Sequence, residues 1–163
     1  SVPHVGGGNL ILGDATGAIA AVEIGHSRVH VEDDAGRGWV ARTNHHTEPA
    51  LVRRLMERPG TDRPQNSEGR LAFLQKSLAT GVAGWTEATC AALLASHGAH
   101  GHPALCRHTP DTITLSGVVF DAAGRSLLQS QGSPCGGDWR YVRLASDGRK
   151  PASFDKARDS VHG

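Results

Sequence analysis

The apolar positions change their spacing twice along the chain. Between residues 9 and 43 they fall in short runs. Asn9-Leu10-Ile11-Leu12-Gly13 ends in Asp14-Ala15-Thr16-Gly17, whose Asp and Gly are turn formers, and Ala18 to Ile24 is apolar again. Arg28-Val29-His30-Val31-Glu32 alternates polar and apolar, the signature of a half-buried strand. Asp33 to Gly38 turns the chain into Trp39-Val40-Ala41-Arg42-Thr43, and the whole block reads as antiparallel strands. From Glu48 to His97 the spacing becomes helical, through Leu51 and Leu55 and then Leu71, Leu74 and Leu78. Arg58 to Asn66 holds Pro59, Gly60 and Pro64, which predicts a loop between helices, with Ser67 as the N-cap of a helix reaching about Leu78. Thr86 is placed to cap another helix through Cys90, Leu93 and Leu94, stopping near Gly98.

After a polar stretch from His97 to Pro110, strand signals return. Thr112 to Phe120 is rich in β-branched residues, Asp121 to Arg125 is a hairpin turn, and Leu127 to Ser130 pairs back. Gly132 to Gly137 turns the chain into Trp139 to Leu144, and the polar residues 145–163 read as a frayed tail. Strands, then helices, then strands predict an α+β protein with antiparallel sheets. Residues 1–8 read as a flexible leader or processed terminus, and residues 9–144 as the folded domain.

Composition narrows the function classes. The 163 residues carry 17 Lys and Arg against 16 Asp and Glu, a net charge of +1, so the basic stripe of a nucleic-acid binder is not expected. Hydrophobic residues make up 38%, enough for a core, yet no apolar run approaches the roughly 18 residues that cross a bilayer. Ser1 to Asn9 lacks the basic and apolar regions of a signal peptide, and no initiator Met is present, so the chain is expected to begin inside a longer translated product. Three cysteines, Cys90, Cys106 and Cys135, match no disulfide framework and suggest a reducing, cytoplasmic setting.

Three ordered segments carry more specific information. They are Gly8-Asn9-Leu10-Ile11-Leu12-Gly13-Asp14-Ala15-Thr16-Gly17-Ala18 with Ala21-Val22-Glu23-Ile24, then Arg42-Thr43-Asn44-His45-His46, then Leu105-Cys106-Arg107-His108 followed later by Gly132-Ser133-Pro134-Cys135. In this order they resemble the C-terminal half of the acyl-coenzyme A:isopenicillin N acyltransferase-like (peptidase C45-type) family of N-terminal nucleophile hydrolases, over roughly Gly8 to Leu144. The resemblance implies part of a four-layer αββα sandwich of antiparallel sheets. It also implies a cysteine nucleophile exposed by autocatalytic cleavage. That cysteine lies upstream of the segment matching Gly8, and no residue here corresponds to it, so the expected partner is the segment or subunit that carries it.

On this resemblance Asn44 donates to the oxyanion formed in acyl transfer, Arg107 positions charge through its planar fork, and His45 and His46 contact a small-molecule substrate. No cofactor is expected, with a coenzyme A thioester admissible as co-substrate. Read without the resemblance, Asn44 closes a turn after a strand, Arg107 forms a surface or structural ion pair, and the three cysteines are buried and structural. Ser1 is an alternative nucleophile, because a free N-terminal Ser can use its own amine as base, although Pro3 disfavours a paired strand there. Gly6-Gly7-Gly8 lacks the preceding strand and following Lys of a phosphate loop and reads as a linker. His97, His100, His102, Cys106 and His108 crowd one segment, with His45 and His46 elsewhere, but none shows the tight pairs of zinc sites, so no metal is expected. The expected function is acyl transfer or amide hydrolysis by the complete enzyme. The alternatives are a non-catalytic fragment that associates with its missing half and a self-contained hydrolase using Ser1.

Overall fold

A computed structural model describes residues 7–14, 16–55, 63–81, 84–98, 103–110, 112–144 and 155–156. The chain divides into two compact units, Ser1–Val82 and Ala83–Gly163. The architecture is α+β, with small antiparallel sheets and few helices.

In the first unit, strands β1 (Gly8–Gly13), β2 (Ile19–Ile24) and β3 (Val29–Asp33) form a meander in that order. The β1–β2 turn is closed by Asp14, whose carboxylate accepts from the Thr16 backbone and hydroxyl and from the Ala18 N–H. Cross-strand register places Leu10, Val22 and Val31 on one face and Asn9, Glu23 and His30 on the other. Trp39 to Thr43, expected as a fourth strand, is not one. Side chains take the backbone groups a ladder would need. Arg42 Nη1 donates to the Ala41 carbonyl at 2.8 Å, and Asn9 Nδ2 donates to the Thr43 carbonyl at 2.6 Å.

Helix α1 (Pro49–Leu55) starts on a proline, which costs nothing at the first helical position. Helix α2 (Arg63–Thr80) begins four residues before the expected cap Ser67. Residues 58–62 of the expected loop lie outside the described residues, while 63–66 are helical. Pro64 sits in the first turn, where its missing N–H has no partner to lose. Ser67 is therefore inside the helix, and its hydroxyl serves the loop beside it instead.

In the second unit, helix α3 (Glu87–Leu94) has the expected Thr86 cap: Thr86 Oγ1 accepts from Thr89 N while Thr89 Oγ1 accepts from Thr86 N. A short hairpin pairs β4 (His108–Thr109) with β5 (Thr112–Ile113). The main sheet runs β6 (Val118–Asp121), β7 (Ser126–Ser130), β8 (Trp139–Arg143) and β9 (Asp155–Lys156), all antiparallel. The expected continuous strand from Thr112 to Phe120 is thus split between two sheets. Asp155 and Lys156, expected in a frayed tail, pair with Tyr141 and Arg140. Ala91 of α3 packs on Leu128 and Trp139, with Leu94, Val119 and Tyr141 around them. Gly117 lets this core close, because a Cβ there would lie 2.9 Å from Pro134 Cγ and 3.2 Å from Trp139 Cη2. No helix among the described residues is long and apolar enough to cross a membrane.

Candidate functional site

The loop from Arg42 to Glu48 is organised by one buried carboxylate. Glu23 projects from the central strand β2 and is fully buried. Its oxygens accept from the Thr47 N–H at 2.9 Å, the Thr47 hydroxyl, the Glu48 N–H at 3.0 Å and Arg42 Nε at 2.7 Å. Burial works to raise the Glu23 pKa. The Thr47 hydroxyl, the Glu48 and Thr47 N–H groups and the Arg42 charge outweigh it and bring the value down to about 2. Arg42 Nη2 also pairs with Glu32 on β3, and Arg37 bonds to the same carboxylate, which holds Glu32 below its ordinary pKa. A buried charge is tolerable only with partners of this kind.

Ser67 braces the loop from the other side. Its hydroxyl accepts from the Asn44 N–H at 2.9 Å, donates to Thr43 Oγ1 at 3.0 Å and lies 2.8 Å from His45 Nδ1. Asn9 Nδ2 donates to the His45 carbonyl at 2.9 Å as well as to Thr43. His46 Nε2 bonds to the Ile24 carbonyl at 3.2 Å, so that nitrogen carries the proton.

Asn44 stands at the exposed tip of this network. Arg70 of α2 donates from Nη2 to Asn44 Oδ1 at 2.7 Å and from Nε to Asn66 Oδ1 at 3.0 Å. A guanidinium has no acceptor, so the bond assigns the carboxamide oxygen to the Arg70 side and leaves the NH₂ as the donor. Among the described residues that NH₂ has no acceptor, and His45 Nε2 and His46 Nδ1 have no hydrogen-bond partner. One loop thus gathers three polar atoms of Asn44, His45 and His46 that are unpartnered among the described residues. Nothing in the sequence spacing pointed to Arg70, Ser67 or Glu23 as their supports, although Glu23 lies within one of the resembling segments.

Arg107 lies in the second unit, between Cys106 and His108. Its backbone N–H donates to Thr114 Oγ1, and its carbonyl accepts the Thr114 N–H, both at 2.9 Å. Arg107 is half-buried, and its guanidinium has no hydrogen bond or ion pair among the described residues. Ser1, His100 and His102 lie outside the described residues.

The cysteines are not alike. Cys106 is buried, Cys90 half-buried and Cys135 exposed, which corrects the expectation of three buried structural thiols. Burial pushes the Cys90 thiol up, and the Glu87 charge adds to that. Burial likewise pushes up Cys106, with the neighbouring Cys135 contributing in both directions.

Cys106 and Cys135 also belong to a cluster that the histidine spacings did not predict. The ligand atoms of His97, Cys106, His108 and Cys135 all lie within 4.8 Å of one another. The fold assembles them through backbone clamps. The Ser96 carbonyl accepts from both the Leu105 and Cys106 N–H groups, bringing His97 alongside Cys106. Ser133 Oγ donates to the Thr114 carbonyl at 2.6 Å, fixing the 3-10 turn Pro134–Gly136 beside the β4–β5 hairpin.

Compared with family models, curated proteins and solved structures, the chain shows no match.

Proposed function

We propose that this chain is the oxyanion-stabilising part of an acyltransferase or amide hydrolase of the N-terminal nucleophile kind, acting on a small-molecule amide or thioester. The observation that carries the reading is the Arg70–Asn44 bond, which occupies the oxygen of an exposed carboxamide and leaves its NH₂ as a donor. In acyl transfer a thiolate adds to the substrate carbonyl carbon, and the carbonyl oxygen takes up the negative charge. A fixed neutral donor aimed at that oxygen lowers the barrier without reorganising. Collapse expels the amine or thiol with a proton and leaves a thioester, which water or an acceptor amine then cleaves. The nucleophile is a cysteine that the resemblance puts on a segment N-terminal to the residues matching Gly8.

The four-layer αββα sandwich belongs to the same proposal. In the first unit Leu10, Leu12, Val29 and Val31 are about half exposed and share the sheet face opposite Glu23. In the second, Val118 and Phe120 are exposed on the sheet face opposite the one that packs on Ala91. Each sheet thus keeps one apolar face for a further layer.

Incubation with an activated acyl thioester followed by intact-mass analysis and peptide mapping tests the reading. The protein carrying the nucleophile segment is expected to gain one acyl group on that cysteine, and Ser1–Gly163 alone none. An acyl group on Ser1 would replace this reading with the self-contained serine hydrolase. No adduct with the nucleophile segment present would leave the non-catalytic association reading in its place.

A further inference from the structure

We propose that His97, Cys106, His108 and Cys135 form a structural zinc site in the second unit. His108 Nε2 lies 3.4 Å from Cys106 Sγ and 3.1 Å from Cys135 Sγ. Zinc bonds of about 2.3 Å to sulfur and 2.0 Å to nitrogen put tetrahedral S···N edges at about 3.5 Å. The two contacts therefore already approximate two edges of a tetrahedron, and His97 supplies a fourth ligand. Its ring stands edge-on to His108, with centroids 5.2 Å apart and planes at 76°.

Two thiolates and two imidazoles are a zinc set, softer than magnesium or calcium accept. Binding releases the two thiol protons, and the two thiolates balance the charge of the cation, so no oxidant or reductant enters. Four protein ligands leave no open position, which makes the site a staple and not a catalytic centre. The staple suits its place: its ligands come from the loop after α3, the segment that leads into β4 and the 3-10 turn, three stretches separated in sequence. The inference is independent of the acyl-transfer chemistry, no step of which uses these four side chains, although Cys106, His108 and Cys135 lie in segments that carry the resemblance.

The test is metal analysis of Ser1–Gly163 purified under reducing conditions without metal-affinity resin. About one zinc per chain is expected, lost to a strong chelator together with part of the thermal stability. Cobalt added back is expected to give the visible bands of a tetrahedral ion and a thiolate-to-cobalt charge-transfer band. Cys135→Ser and His97→Ala, both at exposed positions, should weaken zinc binding by roughly a hundredfold or more, since even outer-shell losses cost up to that much. Cys90→Ser should leave it unchanged. Reduced protein that takes up no zinc from micromolar solution would overturn the proposal. So would a Cys106–Cys135 disulfide found in protein alkylated directly in the reducing lysate.

Discussion

Arg42 donates from Nε to Glu23 Oε1 at 2.7 Å, and neither side chain is more than 5% exposed. This pair fastens the Asn44 loop to the sheet, because Glu23 also takes both the Thr47 and Glu48 N–H groups. A carboxylate whose folded pKa is about 2, against an ordinary 4.5, stabilises the fold fully above the unfolded value. The contribution fades as pH falls from about 4.5 through about 2. Denaturant titrations at descending pH should show this loss in the native protein, worth about 3 kcal/mol. Glu23→Gln should lose a similar amount already at neutral pH, because Thr47 and Arg42 donors then face an amide, and its acid sensitivity should be shallower. Equal acid sensitivity in the variant would assign the effect to other carboxylates.

Arg70 is a positioning residue in this account. Arg70→Met should lower turnover roughly tenfold while leaving KM nearly unchanged, since the carboxamide of Asn44 is then free to rotate and its donor is aimed only part of the time. Arg70→Lys, which restores a donor to Asn44 Oδ1, should recover part of the rate. An Arg70→Met variant that changes KM alone would move Arg70 from orienting Asn44 to binding substrate.

Gly117 is set by space. Gly117→Ala would push a methyl into Pro134 and Trp139, and overpacking of this kind costs about 1–3 kcal/mol. Chemical denaturation followed by tryptophan fluorescence would measure it. An unchanged midpoint would mean that the 3-10 turn yields to the methyl.

Much of the secondary structure was legible because it is decided locally. Turn chemistry at Asp14 and Asp121 and alternation in Val29 to Val31 marked the hairpins, and Thr86 marked a helix start. Trp39 to Thr43 has the composition of a strand, yet its Ala41 and Thr43 carbonyls are claimed by the side chains of Arg42 and Asn9, effects that periodicity does not register. The candidate site divides the same way. Asn44, His45 and His46 are adjacent in sequence and could be singled out together, whereas Glu23 holds Arg42, Thr47 and Glu48 on either side of them from 19 to 25 residues away, and Arg70 reaches Asn44 across 26. The Cys and His cluster leaves no local spacing signal, because Cys135 comes from 27 residues beyond His108.

The cap of α3 offers a control on local energetics. Thr86→Ala removes one half of a reciprocal pair with Thr89 and should destabilise the second unit by about 1 kcal/mol. Thr86→Ser, which keeps the acceptor, should cost far less. Identical losses in both variants would place the effect in the methyl group and not the cap.

The most direct test of the acyl-transfer account is the single-turnover acylation rate of Asn44→Ala, measured in protein that carries the nucleophile segment. The bond from Arg70 occupies Asn44 Oδ1 and leaves the NH₂ as a donor, and loss of one oxyanion donor costs about 3–4 kcal/mol of barrier. Acylation should therefore slow by a hundredfold or more, with substrate affinity within a few-fold of the native value and the fold intact. Asn44→Asp should be at least as slow, since a carboxylate offers the oxyanion like charge and no donor. Near-native acylation in a well-folded Asn44→Ala protein would contradict the account and remove this loop from the chemistry.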